Sequence, residues 1–228
     1  MAERAPSGAV ADGSGPVADG SGPVGDGSGA TLFRSIGDLA ELCGHYCWVE
    51  RRVFEVTGSR ASRPATGDPE GGDPEAGDAE VRVVLSQMSA RHGLFAAQWH
   101  DRLPVRAGVD AGALIVPPPG RVDEALELIA AAPRLALVLA GLVTQFLPRL
   151  RDAYGRHLAQ ASPVSEAPVR AVLGWAVLSL GQEIRLAGLL VQRLAPDAER
   201  ARSVESFGGL VQQLLGTAAD TFPGARAS

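Results

Sequence analysis

Residues 135–157 read LALVLAGLVTQFLPRLRDAYGRH, and the run from Leu135 to Leu147, bracketed by Arg134 and Arg149, is the most apolar in the chain. A membrane-spanning helix needs about 20 such residues, so this shorter run reads as a buried helix. Leu135, Leu139, Leu142, Phe146, Leu150, Ala153 and His157 recur at the alternating three- and four-residue spacing of one helical face. That pattern predicts a helix over 134–160. Pro148 in its interior predicts a kink, because proline removes a backbone donor.

Three more segments repeat the pattern. Over 32–57 the inward stripe is Leu32, Ile36, Leu39, Cys43, Tyr46, Glu50, Val53 and Thr57, and Gly58 is expected to stop the helix. Over 79–103 it is Val81, Leu85, Met88, His92, Phe95 and Trp99, with Pro104 beyond the end. Over 168–194 it is Val169, Leu173, Ala176, Leu180, Glu183, Ala187, Leu190 and Leu194, with Pro168 suited to the first turn. A short helix is expected over 122–131, and a last one over 197–215 packs across the bundle end. Four helices of similar length, each about 40 Å at a rise of 1.5 Å per residue, form a matched set. The first two and the last two can pair as hairpins. The second-to-third connection, with its Pro117-Pro118-Pro119-Gly120 break, is long. One long crossover at that place is the topology of ferritin-like bundles. The expected fold is therefore an all-α four-helix bundle over 31–195, with an extra C-terminal helix and tail over 196–228.

Two segments read differently. Residues 9–29 repeat AVADGSG, PVADGSG and PVGDGSG. A period of seven suggests a coiled coil, but glycine, proline, serine and aspartate at this density forbid a helix, and three valines bury too little surface to order the chain. Residues 1–30 are expected to be a disordered arm. Residues 58–78, with ATGDPEGGDPEAGD, are expected to be a flexible acidic loop.

The net charge of −5 sits mainly in those two segments, which leaves the folded body near neutral. Nucleic-acid binding requires a basic patch, so no nucleic-acid partner is expected. All 21 basic residues are arginine, as a GC-rich coding bias would produce. The start, Met1-Ala-Glu-Arg-Ala-Pro6, lacks the apolar core of a secretory signal. Cys43 and Cys47 lie four apart on one helix, a poor geometry for a mutual disulfide, and are expected to be reduced core thiols. The expectation is a cytoplasmic protein with no membrane partner. Phosphate-binding glycine loops, nucleophile elbows and zinc-finger spacings are absent from the sequence.

Each of three apolar stripes carries one titratable side chain: Glu50, His92 and Glu183. A buried carboxylate is costly unless it is paired, hydrogen-bonded or bound to a cation. Oxygen and imidazole donors from three converging helices suit a single iron, manganese or zinc ion. The plainer alternative pairs the two acids with Arg51, Arg52 and Arg185, and bonds His92 to Tyr46 or a carbonyl. Tyr154 and His157, three residues apart, read as lining a pocket mouth or, more simply, as making an interhelical hydrogen bond. His100-Asp101-Arg102 reads as a charged helix end.

The segment Gly44-His-Tyr-Cys-Trp-Val-Glu50-Arg-Arg-Val-Phe-Glu55, His92 with Gln98-Trp-His-Asp-Arg-Leu-Pro104, and Tyr154 with His157 resemble an uncharacterised ferritin-like family over roughly 32–195. Ferritin-like di-iron proteins place a Glu on the first and third helices and a Glu-x-x-His on the second and fourth. The resemblance maps Glu50 to the first helix. The second helix offers Ser89-x-x-His92, which keeps the histidine, and the fourth offers Glu183-x-x-Leu186, which keeps the carboxylate. On the third, Gln145 and Asp152 are the candidates. Half of the ligand set remains, which implies one iron or manganese ion on Glu50, His92 and Glu183 and not a dinuclear centre. Two further readings stand beside it. One is a non-catalytic interaction protein with a decayed metal site, compatible with a homodimer. The other is a small-molecule pocket in the bundle core. The reaction, if any, is not specified by these residues.

Overall fold

The computed structural model describes residues 34–63, 77–105, 108 and 110–216, so the expected arm and the greater part of the acidic loop lie outside the described residues. What is described is all-α. Helix α1 spans Ile36–Ser62, and its start is set by a capping box. The Ser35 hydroxyl accepts from the Asp38 amide at 3.1 Å, while the Asp38 carboxylate accepts from the Ser35 amide at 3.2 Å. The expected stop at Gly58 is corrected: α1 runs on to Ser62. A Cβ at position 58 would lie 2.8 Å from Ser89 Oγ, so this glycine lets the neighbouring helix approach and is no C-cap. Ser89 uses the close approach to donate to the Phe54 carbonyl at 3.0 Å.

Helix α2 spans Asp78–His100 and lies along α1 as an antiparallel hairpin. Beyond it come a 3₁₀ turn at Ala111–Leu114 and helix α3, Val122–Ala130. The third long rod is compound. Helix α4, Leu135–Ala140, passes through a π-helical turn, Gly141–Phe146, into helix α5, Leu147–Gln160. The irregularity expected at Pro148 is this turn, placed just before it. There the Leu147 amide bonds the Leu142 carbonyl, five residues back. Side chains satisfy nearby carbonyls: Thr144 donates to Ala140 and the Arg149 guanidinium to Gln145, each at 2.8 Å.

Helix α6, Ala167–Leu194, carries Pro168 in its first turn and pairs with α5. Helix α7, Ala198–Leu215, is capped by Asp197, whose carboxylate accepts from the Glu199 and Arg200 amides. It packs on the π turn, α3 and α4. Gly141 makes that contact close, since a Cβ there would meet Phe207 at 2.9 Å and Ile129 at 3.0 Å.

The interior follows the stripes. From Cys43 to Thr57 on α1, Val81 to Trp99 on α2, Leu135 to His157 on α4 and α5, and Val169 to Leu190 on α6, every stripe residue is buried. Each large apolar side chain so buried contributes roughly 1.5–3 kcal/mol. Ile36, at the open end of the first stripe, is exposed. Cys43 and Cys47 are buried and unpaired, and burial pushes the Cys43 thiol up to about 12 and raises Cys47 as well. Among the described residues, no helix is long and apolar enough to cross a membrane.

The tightest backbone approach is at Gly44, where a Cβ would stand 2.0 Å from the Leu114 carbonyl oxygen. Backbone cannot rotate aside as a side chain can, so Gly44→Ala must push the 3₁₀ turn off α1. The expected loss is about 2 kcal/mol or more of unfolding free energy, read from urea denaturation, with Gly155→Ala as the control that meets no neighbour.

Candidate functional site

Glu50, His92 and Glu183 meet at the middle of the bundle, as the stripe positions require. Glu50 comes from α1, His92 from α2 and Glu183 from α6, and all three are buried. Tyr154 joins them from α5, so each long rod supplies one member. The Tyr154 hydroxyl donates to Glu50 Oε1 at 2.6 Å. His92 Nδ1 is in hydrogen-bond contact with the other Glu50 oxygen. On the opposite side of the ring, His92 Nε2 faces Glu183 Oε2 at 3.6 Å. Arg91 NH1 stands 2.8 Å from Glu183 Oε1 as an ion pair, off the direction a hydrogen bond needs.

Burial works against a charged imidazole, but Glu50, by charge and by hydrogen bond, and then Glu183 outweigh it and raise the His92 pKa. The carboxylates thus favour the protonated ring, with Nδ1 bonded to Glu50 and Nε2 facing Glu183 beyond hydrogen-bond reach. Each buried acid thus has a basic side chain beside it, His92 at Glu50 and Arg91 at Glu183. Burial and the adjacent Glu50 push the Tyr154 phenol well above its ordinary value, and it remains a proton donor.

The plainer expectation for these acids needs correction in its partners. Arg52 pairs with Glu55, Asp123 and Glu127 at the surface, and Arg51 and Arg185 are exposed. The arginine at Glu183 is Arg91, on the neighbouring helix. His92 bonds Glu50, and not Tyr46 or a carbonyl.

The arrangement bears directly on a metal. Glu50 and Glu183 lie on opposite ring nitrogens, so the three side chains do not converge on one point. Only His92 Nε2 and Glu183 face each other, fewer than the three protein ligands usual in a catalytic site with an open position. Among the described residues, no group of three or more His, Cys, Asp or Glu side chains is arranged to hold an ion. Gln145 bonds Arg149 and Asp152 is exposed, so neither third-helix candidate joins the centre. The groove nearest the centre is a surface one of about 250 Å³ between α2 and α6, lined by Val84, Met88, Arg91, Glu183, Leu186 and Leu190 among others.

A second buried network lies toward the α5–α6 turn. The Tyr46 hydroxyl is 3.3 Å from His157 Nδ1, and His157 Nε2 is 3.1 Å from Glu166 Oε2. The other Glu166 oxygen accepts from the Ser162 amide at 3.2 Å, and Arg34 pairs with Glu166 at 3.6 Å. Burial, with Arg34 adding to it, lowers the His157 pKa to about 4, so this ring is neutral. The tautomer follows: Tyr46 O–H donates to Nδ1, and Nε2–H donates to Glu166. Tyr46 packs edge-on against Tyr154 at 4.7 Å and against Trp99 at 4.9 Å, an aromatic layer between the two networks.

Sequence reasoning missed Arg91 and Glu166. Arg91 is adjacent to His92, and nothing in its own helix marks it as Glu183's partner. Glu166 sits in the turn before α6, where Ser162 four residues earlier was the available sign. His45 turns away from the cysteines, its Nδ1–H donating to the Val116 carbonyl at 3.0 Å. His100 and Arg102 are exposed at the end of α2, and Asp101 caps it. Compared with protein-family models, curated proteins and solved structures, the chain matches none.

The two histidines give opposite pH dependences. His92 has a raised folded pKa, so its contribution is present below the unfolded value near 6.5 and is lost as pH rises through the folded value. His157 is held neutral, so its contribution is present above 6.5 and is lost as pH falls toward about 4. Urea midpoints measured against pH should fall on both sides of about 6.5, with His92→Gln flattening the alkaline limb and His157→Gln the acid limb. Removing Glu50 alone leaves His92 Nδ1 and the Tyr154 hydroxyl buried without their partner and should cost about 3 kcal/mol, whereas the Glu50→Leu/His92→Leu double variant should lie closer to wild type than Glu50→Leu does.

Proposed function

We propose that the chain is a ferritin-like helical bundle acting as a non-catalytic interaction protein, with Glu50, His92 and Glu183 kept as a charge-compensated polar centre. The observation that carries this reading is the placement of the two carboxylates on opposite nitrogens of His92. With Arg91 at Glu183, the buried acids need no ion to balance them. The ferritin-like assignment is supported by two helical hairpins, α1–α2 and α5–α6, joined by the long segment 101–134. A polar centre drawing on all four rods fixes their register, a role that buried polar groups fill in other helical assemblies.

A second reading keeps one iron or manganese ion on His92 and Glu183, with Glu50 orienting the imidazole through Nδ1. It is favoured by His92 Nε2 and both Glu183 oxygens, which are buried without a hydrogen-bond partner. Elemental mass spectrometry separates the two. The first reading expects no stoichiometric iron, manganese or zinc in the purified protein, nor after anaerobic reconstitution with ferrous iron. Near-stoichiometric metal that disappears in a Glu50→Ala/His92→Ala variant would overturn it and establish the second.

A further inference from the structure

Helix α6 is apolar on both sides. Its inner stripe packs into the core, yet its outer face carries Trp175, Leu178, Leu186 and Leu189, which are 48%, 72%, 63% and 59% exposed. A helix apolar all round is normally buried all round. Together these side chains show roughly 450 Å² of apolar surface, the size of the largest patch on a typical monomer, which is often functional. Gln182 lies at the centre of this stripe and is uncharged.

The spacing is symmetric about Gln182. Leu178 and Leu186 stand four residues to either side, and Trp175 and Leu189 seven. On a helix, steps of four and seven return to one face. When a second α6 lies antiparallel across the first, with a two-fold axis at Gln182, Leu178 meets the partner's Leu186 and Trp175 meets the partner's Leu189. Self-complementarity of this kind is what an isologous interface requires. The four side chains from each copy would bury about 900 Å², and flanking residues bring the total to about the lower bound of a specific interface, near 1,200 Å². Leu186 and Leu189 also line the groove between α2 and α6, which gives the partner's indole a recess to enter.

We propose that the outer face of α6 is a homodimer interface, in which two copies of this chain pack antiparallel about Gln182. This gives the interaction reading its partner, a second copy. Metal content tests the centre and association tests the surface, so either can fail alone. The same axis brings Arg151 and Arg185 of both copies to one side of the stripe, where they line the α5–α6 groove. The contact is therefore driven by apolar burial against like charge, and salt should strengthen it by screening the arginines.

Sedimentation velocity on the full chain at micromolar concentration should give a dimer that tightens from low to moderate salt. Leu178→Glu/Leu186→Glu should give a monomer of unchanged helicity by circular dichroism. Both native cysteines are buried, so engineered ones report on the geometry. Gln182→Cys, on the axis, should oxidise rapidly to a disulfide-linked dimer, and Trp175→Cys should do so only when mixed with Leu189→Cys. A full chain that stays monomeric, a dimer that survives the double Glu variant, or Gln182→Cys linking no faster than Trp175→Cys alone would overturn the proposal.

Discussion

The buried ring of His92, bonded to Glu50 on one side and facing Glu183 on the other, is the constraint on which the arrangement of the long helices depends. Buried ionisable groups such as Glu50, His92 and Glu183 cost several kcal/mol each unless they meet partners with good geometry. Meeting requires that α1, α2 and α6 stand at one rotation and one height relative to each other, and Tyr154 adds α5 to the same condition. A one-turn slip of α1, α2 or α6, about 5.4 Å, would part an acid from its basic partner, and a slip of α5 would lose the Tyr154–Glu50 bond. Apolar stripes alone tolerate such slips far better, because leucines exchange partners without leaving a charge unsatisfied.

The second network shows what a change of surroundings does to the same side chain. His157 faces one carboxylate whose charge Arg34 shares, and it stays neutral. His92 faces two carboxylates with one arginine at the farther of them, and its pKa is raised. A neutral ring can accept from Tyr46 while donating to Glu166, a directional chain that ties α1 to α5 and to the turn before α6. The His92 ring bonds Glu50 through Nδ1 alone, and its Nε2 faces Glu183 at 3.6 Å without a hydrogen bond. The packed rings of Tyr46, Trp99 and Tyr154 join the two networks through apolar contact, with no polar group shared between them among the described residues.

Much of this was legible in the residues. The stripes placed Glu50, His92 and Glu183 in the interior because period alone decides which face of a helix is inward. His157 also lay on the predicted stripe, whereas Tyr154, one place off it, reached the interior and bonds Glu50. What period does not carry is the rotation of one helix against another, and that decides whether three side chains share a point or stand in line. Hence convergence on an ion was a fair expectation from the sequence, while the in-line order Glu50–His92–Glu183 appears only in three dimensions. Gly58 failed for a related reason. Glycine reads as a stop signal locally, but here it answers a neighbour, Ser89, that lies 31 residues away in the chain. Arg91 was overlooked because local charge pairing favours the same helix, whereas Glu183 points across to α2.

Helix α6 joins the two halves of the argument. Ordinary amphipathic helices turn leucine inward and charge outward, but this one turns Glu183 inward and leucines outward over the same three turns. The inward carboxylate is explained by the centre it completes. The outward leucines have no counterpart within the described fold, and their symmetry about Gln182 gives them one in a second copy. The two faces also act on each other. The groove that reaches Glu183 is walled on one side by Leu186 and Leu189, so a copy seated on that face would close it. Closure would deepen the burial of the Arg91–Glu183 pair and strengthen its attraction in a drier surrounding, making the charge balance at the centre more dependable in the pair than in the single chain.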